Sequence, residues 1–155
     1  MNIKIIPYHE RYKQDIIDLV LDTYENQLGF VGYERPDIYD IPWFFLSEDY
    51  NNFWLAIKDD ELIGTVWLIA KDQKLTYLKR MIVKTEYRGI GLGKRLLNIS
   101  LDFAREKWFK LIYAWTVEEN PSAIAFYKSQ GFVWSDDVPE GITAAKDSVC
   151  LKLDL

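Results

Sequence analysis

The sequence predicts a single α/β domain with a mixed, mostly antiparallel sheet of about six or seven strands and about four flanking helices. Three strand-length apolar runs follow one another between residues 53 and 83, with short polar turns between them, which is typical of antiparallel strands. A glycine-rich turn and a long amphipathic segment come next, followed by a fully apolar run at residues 111–117. Because the amphipathic segment joins two strands, those strands should run parallel, which makes the sheet mixed.

The composition favours a globular domain over a nucleic-acid binder or a membrane protein. The 155 residues are 49% hydrophobic and carry a net charge of −5, whereas general nucleic-acid binders usually have a basic face. The single cysteine, Cys150, and the single histidine, His9, allow neither an internal disulfide nor a Cys/His metal cluster, and we interpret them as a core residue and a turn residue. No segment resembles a signal peptide or approaches the roughly 20 apolar residues of a membrane span, so we expect a cytoplasmic protein without a membrane partner.

The N-terminal third contains one clear helix and one irregular region. A strand is expected at residues 3–6, and a helix at residues 12–28 with an apolar stripe formed by Ile17, Val20, Leu21, Tyr24 and Leu28. Glycine and proline interrupt the pattern between residues 29 and 52. We expect a short helix at residues 37–46, with Trp43, Phe44 and Phe45 directed inward.

The remaining elements follow from periodicity and end signals. Strands are expected at residues 53–57, 62–70 and 75–83. The helix after the glycines should bury one side, formed by Leu97, Leu101, Ala104 and Trp108. Asn120 and Pro121 then begin a second helix as N-cap and first helical residue, and Gly131 ends it. Residues 132–134 and 149–153 should complete the sheet.

The glycine-rich turn predicts an anion site. Gly89, Gly91 and Gly93 remove every second side chain where the helix begins, so backbone N–H groups are exposed toward one spot. Arg88 and Lys94 flank the turn, and the positive end of the helix dipole favours a phosphate or pyrophosphate there. A P-loop is excluded because Arg88 stands where its first glycine should be, and the Gly-x-Gly-x-Gly spacing does not fit a dinucleotide fingerprint.

Two segments resemble a known family. The pattern Arg-x-x-Gly-x-Gly at residues 88–93, directly after Leu-Lys-Arg-Met-Ile-Val, resembles the acyl-CoA-binding motif of the GNAT superfamily of N-acetyltransferases. Residues 120–132 resemble the second signature of that superfamily. The resemblance covers most of residues 53–132 and implies a GNAT-like fold in which the two parallel central strands splay apart. It also implies acetyl-CoA as cosubstrate, with no metal required.

The resemblance implies direct attack of a primary amine, on a small molecule or amino-acid-like acceptor, on acetyl-CoA in a ternary complex. The backbone of the turn would hold the coenzyme A pyrophosphate through Arg88, Gly89, Ile90, Gly91, Leu92, Gly93 and Lys94. A backbone N–H of Met81, Ile82 or Val83 would stabilise the oxyanion, although these residues could equally be strand core. Tyr127 matches the tyrosine that protonates the thiolate, with core packing as the alternative. Asn120 matches a residue that contacts the pantetheine arm, with a plain N-cap as the alternative.

The general base is not fixed by the sequence. Some family members carry a glutamate on the strand before the glycine turn, but Tyr77 occupies that position here. Glu118 is our candidate, with Glu119 beside it, because both follow the strand at residues 111–117. Three further acids could serve as the base, with a solvated surface position as the alternative for each: Glu25, Asp37 and Asp40.

The acceptor side has fewer sequence signals. Tyr33, Tyr39, Trp43 and Phe44 fall where relatives form the acceptor wall, and core packing is the alternative for at least two of them. Lys79 and Arg80 could bind an acidic substrate group or lie at a solvated strand end. A protein acetyltransferase and a non-catalytic acyl-CoA-binding regulator remain alternative functions, and exposed aromatic residues could support a homodimer.

Overall fold

The computed structural model describes residues 2–139 and 148–155 and has the predicted mixed α/β architecture. The described strands are β1 (Ile3–Pro7), β2 (Asn52–Lys58), β3 (Glu61–Ala70), β4 (Leu75–Val83), β5 (Leu111–Val117), β6 (Val133–Trp134) and β7 (Ser148–Asp154). The described α-helices are α1 (Lys13–Leu21), α2 (Ile41–Phe45), α3 (Leu92–Glu106) and α4 (Pro121–Ser129). None of the helices in these two ranges combines the length and the apolar character needed to cross a lipid bilayer.

The strands form one sheet in the order β1-β2-β3-β4-β5-β7-β6. The β4–β5 pair is parallel, and the other neighbouring pairs are antiparallel. The parallel pair follows from the connection through α3, which carries the chain back to the starting edge of the sheet before β5 begins. The predicted run of three antiparallel strands and the predicted parallel pair are both confirmed.

Helices cover both faces of the sheet. On one face, α3 buries Leu96, Leu97 and Leu101 against the strands, and Tyr127 of α4 belongs to the same cluster. On the other face, the residues of α1 and α2 pack around Trp67, whose ring centroid lies 4.1 Å from that of Phe45. The active-site region described below lies where these two layers meet at β4.

The first helix differs from the prediction. It is α-helical only to Leu21 and continues as a π-helical segment over Asp22–Gln27, in which the Leu28 N–H donates to the Thr23 carbonyl at 3.1 Å. The wider turn changes the phase of the side chains. The buried residues are therefore Ile16, Ile17, Leu19, Val20 and Thr23. Ile17 and Val20 are buried as predicted, whereas Leu21, Tyr24 and Leu28 are only half-buried.

Three aromatic residues expected in the core point outward. A five-residue helix has one buried side, and Ile41 and Phe45 occupy it in α2, which leaves Trp43 72% exposed and Phe44 exposed as well. Trp108 lies beyond the end of α3 with a φ of 64°, and this left-handed residue turns the chain so that Phe109 is buried instead. The interpretations of Cys150 as a core residue and of His9 as a turn residue are confirmed.

Candidate active site

The two central strands separate along their length. β4 and β5 pair from Leu75 opposite Leu111 to Leu78 opposite Ala114, and the pairing stops there although both strands continue. β5 stays with β7 as far as Val117, so β4 is left with an unpaired edge over its last five residues, 79–83. This separation is the splay that the family resemblance implies, and it opens the backbone of β4 to a ligand.

A β-bulge lies at the start of this open edge. Trp67 pairs with Lys79 and Thr65 pairs with Ile82, so two residues of β4 oppose one residue of β3. Arg80 is one of these two residues and has a φ of 52°, which is uncommon for a residue with a side chain. The buried Thr65 hydroxyl donates to the Arg80 carbonyl at 2.7 Å and stabilises this conformation.

The bulge lets two consecutive cations of β4 reach one carboxylate, and we call Asp37, Lys79 and Arg80 the Asp37 cluster. Arg80 donates to both oxygens of Asp37, at 3.1 and 3.0 Å from Nη2, and Lys79 Nζ lies 3.1 Å from Oδ2. Burial alone would raise the pKa of Asp37, but the attraction of Arg80 and Lys79 outweighs it and lowers the pKa below its usual value. The alternative of a solvated strand end is wrong for Arg80, which is only 8% exposed.

The glycine turn leaves the first amides of α3 open. Gly91 is the N-cap with a φ of 81° and offers no side chain to cap the helix, and Gly89 has a φ of 77°. A Cβ atom built at either residue meets nothing within 4 Å, so it is backbone conformation, and not crowding, that requires glycine. Uncapped N–H groups at a helix N-terminus, with free space above them, are suited to binding an anion.

The two cations beside the turn have different surroundings. Arg88 donates through Nε to the Val83 carbonyl at 2.9 Å and through Nη2 to Gln27 Oε1 at 3.0 Å, so it joins the turn to the end of β4. Lys94 is exposed in the first turn of α3. Gly93 lies against α4, since a Cβ atom there would be 3.6 Å from the Phe126 ring.

Tyr127 lies in the core, and its hydroxyl reaches the bulge. Its ring packs against Phe132 at a centroid distance of 5.3 Å, and its hydroxyl lies 3.5 Å from Met81 Sδ. Burial, together with the nearby Tyr24, raises the pKa of the phenol above its ordinary value. Core packing and proton donation are therefore compatible for this residue. Asn120 caps α4 as predicted, accepting from the Ala123 N–H at 3.2 Å.

The candidate bases are dispersed. Glu118 and Glu119 are exposed in the turn between β5 and α4. Glu25 is paired with Arg35 at 3.2 Å, and Asp40 caps α2. Tyr77 is half-buried beside the Asp37 cluster, and burial, with a smaller effect from Asp37, raises its pKa.

The aromatic residues expected at the acceptor wall lie at the surface. Tyr33, Tyr39, Trp43 and Phe44 are all exposed, so the alternative of core packing is wrong for each of them. Tyr33 and Tyr39 line a cleft of about 390 Å³ together with Glu25 and Arg35. No sequence pattern pointed to two neighbouring residues of the site. Thr65 holds the bulge, and the Tyr24 ring lies 4.6 Å from the Arg80 guanidinium.

Comparison with known proteins identifies the family of the chain. The human protein N-acetyltransferase 8B is 33% identical over 103 residues, which cover 63% of this chain and 45% of the human protein. This chain thus spans about half the length of curated relatives such as this one.

Solved structures share the whole architecture. An acetyltransferase of the GNAT family from Staphylococcus aureus superposes with a TM-score of 0.91 at 29% identity and covers 99% of both chains. The PaiA N-acetyltransferase of Thermoplasma acidophilum, solved in complex with coenzyme A, has a TM-score of 0.78 over the full length of both chains, and at 18% identity it shows the fold alone. The model of the acetyltransferase (GNAT) family matches residues 13–132, and the chain therefore belongs to that family.

Proposed function

We propose that this protein is an acetyl-CoA-dependent N-acetyltransferase that acetylates a primary amine of a small molecule or amino-acid-like acceptor by direct attack in a ternary complex. The observation that carries the proposal is the unpaired edge of β4, which ends at a turn of uncapped amides and has the Tyr127 hydroxyl at its bulge. Family membership, the names of the curated relatives and the coenzyme A in the structure of the Thermoplasma protein support it.

The chain offers two binding surfaces for acetyl-CoA, which would supply an activated acetyl thioester. The amides of residues 89–94 would hold the pyrophosphate, since they are uncapped and lie at the positive end of α3, and Lys94 would add a charge. The free backbone groups of Met81, Ile82 and Val83 would bond to the pantetheine arm. The N–H groups of the same edge are our candidates for stabilising the oxyanion.

Tyr127 is our candidate for the acid. When the amine nitrogen bonds to the acetyl carbon, the carbon–sulfur bond breaks and the sulfur takes up a proton. A phenol is protonated at neutral pH, as a donor must be before the reaction, and burial raises the pKa of Tyr127 further. Asn120 caps α4 through its side-chain oxygen, so it would contact the pantetheine arm through its side-chain N–H groups.

Glu118 remains our candidate for the base, and it would take the proton of the attacking ammonium directly or through water. Asp37 is a weaker base because Arg80 and Lys79 lower its pKa, and Glu25 is held in an ion pair with Arg35. A covalent route through cysteine is disfavoured because burial raises the pKa of Cys150 to about 11. Direct attack requires no nucleophile from the protein.

Calorimetric titration with acetyl-CoA, followed by a thiol-release screen of amines, tests the proposal. We expect binding in the wild type that falls at least tenfold in Gly91→Glu, where a carboxylate would repel the pyrophosphate. Gly32→Glu is the matched control, because Gly32 also has a positive φ and open space around it but lies outside the turn. Binding without thiol release from any amine would favour the acyl-CoA-binding regulator, and release from peptides alone would favour a protein acetyltransferase.

A further inference from the structure

The Asp37 cluster carries more positive than negative charge in a buried position. Its two cations share the single carboxylate of Asp37, whose side chain is only 7% exposed. Arg35, which packs on the same Tyr24 ring as Arg80, is balanced by Glu25 and does not change this excess. Buried charges in proteins are normally paired, so an excess cation at a partly buried site calls for an anion from elsewhere.

Both cations have donors to spare. Arg80 uses Nε and Nη2 on Asp37, and among the described residues nothing accepts from its Nη1. Lys79 makes one contact with Asp37, and with its side chain 38% exposed it can be reached from outside. Burial lowers the pKa of Lys79, Asp37 acts in the opposite direction, and the like charge of Arg80 lowers the pKa further.

The cluster lies close to the proposed reaction centre. Arg80 packs 4.6 Å from the centroid of the Tyr24 ring, and Tyr24 lies near enough to influence the titration of Tyr127. The bulge that brings Lys79 and Arg80 to Asp37 also holds Met81, which contacts the Tyr127 hydroxyl. A small acceptor held at the cluster would therefore have its other end within reach of the open edge of β4.

We propose that the acceptor is an amine that also carries a carboxylate, and that Lys79 and Arg80 bind this carboxylate. The inference rests on the proposed function and narrows its acceptor to amino acids and related amino carboxylates. An acceptor carboxylate would neutralise the cluster and accept charge-assisted hydrogen bonds from Lys79 Nζ and Arg80 Nη1. Polyamines and aminoglycosides, which lack a carboxylate and are cationic, would be repelled by the same two residues.

Thiol release from matched pairs of acceptors tests this assignment. Each amino acid is compared with its own carboxamide at saturating acetyl-CoA, and aspartate with asparagine extends the comparison to side-chain carboxylates. We expect kcat/KM for the acid to exceed that for the amide at least tenfold. The amide has the more acidic ammonium group and thus the more available free amine, so its intrinsic reactivity works against the expected result.

We choose Lys79→Gln as the variant and leave Arg80 in place. Replacing Arg80 would risk the fold, because this residue has a positive φ and a buried side chain. In Lys79→Gln we expect the ratio of acid to amide to fall below threefold through a higher KM for the acid, with the Kd for acetyl-CoA unchanged. Lys110→Gln is the matched control, since Lys110 is exposed just before β5, and it should keep the wild-type ratio.

The outcomes separate the inference from the proposed function. Three results would overturn the carboxylate site and leave the proposed acetyltransferase activity intact. They are equal kcat/KM values for an amino acid and its carboxamide, a polyamine as the best acceptor, and an acid-to-amide ratio in Lys79→Gln that equals the wild-type ratio. The absence of thiol release from every amine, with acetyl-CoA still bound, would overturn both.

Discussion

The two sides of the β4 bulge are built in different ways. On the side of α3 and α4, the glycine turn and Tyr127 come from two continuous stretches, residues 88–94 and 120–132, and the turn presents backbone groups to its ligand. On the other side, the Asp37 cluster joins side chains that are 43 positions apart in the sequence. In our proposal, cofactor binding would thus depend on local backbone conformation, whereas acceptor binding would depend on tertiary contacts. Substitutions should therefore affect one side and spare the other.

Asp37→Asn should have the largest effect and should be confined to the acceptor side. It removes the only carboxylate of the Asp37 cluster and leaves two partly buried cations unpaired, which typically costs about 3–5 kcal/mol. Urea unfolding should show this loss of stability. Asp59→Asn is the control, because Asp59 is exposed in a turn, and it should leave the free energy of unfolding unchanged. A stable Asp37→Asn protein would show that the cluster does not hold this side together.

Tyr127→Phe should affect chemistry without affecting cofactor binding. Loss of a general acid typically costs about 100-fold or more in kcat. The ring contacts with Phe126 and Phe132 persist in the variant, so the Kd for acetyl-CoA measured by calorimetry should stay within about twofold. Tyr12→Phe, at another buried tyrosine, should keep the wild-type kcat. An unchanged kcat in Tyr127→Phe would remove Tyr127 from the mechanism.

Thr65→Val should loosen the bulge. The substitution leaves the buried Arg80 carbonyl without its hydrogen bond, at a cost of about 1–3 kcal/mol. We expect a lower free energy of unfolding in urea and a higher KM for the acceptor. Thr65→Ser keeps the hydroxyl and should retain most of the stability. A Thr65→Val protein as stable as the wild type would show that this hydrogen bond does not hold the bulge.

The pH dependence of stability should show the smallest effect. Folding lowers the pKa of Asp37, so its ionised form stabilises the folded state above the unfolded pKa of about 3.9, and this contribution is lost as the pH falls through the lower folded value. The difference in unfolding free energy between wild type and Asp37→Asn should be constant near neutral pH and shrink below about pH 4. A difference that is undiminished at pH 3 would show that the ionised form of Asp37 does not stabilise the folded state.

The same contrast explains how much of the molecule could be predicted from the sequence. The strands, the parallel pair and both motif helices follow from periodicity, glycines and caps that act within a few residues, as at Asn120 and Gly131. An anion site at the glycine turn could be proposed from the sequence because backbone N–H groups, and not distant side chains, would form it.

The remainder depends on contacts that no local pattern records. The π-helical segment at Asp22–Gln27 changes which residues of the first helix are buried, and the left-handed conformation of Trp108 turns that side chain out of the core. The bulge at Arg80 requires the partner strand with Thr65, and Asp37 lies in an irregular region with no periodic signal. Lys79 and Arg80 could be marked as unusual in a strand, but their carboxylate partner could not be identified.

A crystal structure of the protein with coenzyme A would test the proposed cofactor site. We expect pyrophosphate oxygens within hydrogen-bond distance of the amides of residues 89–94, the pantetheine arm along the unpaired edge of β4, and the thiol beside the Tyr127 hydroxyl. Coenzyme A bound elsewhere, or bound at the turn with its thiol directed away from Tyr127 and the bulge, would contradict it.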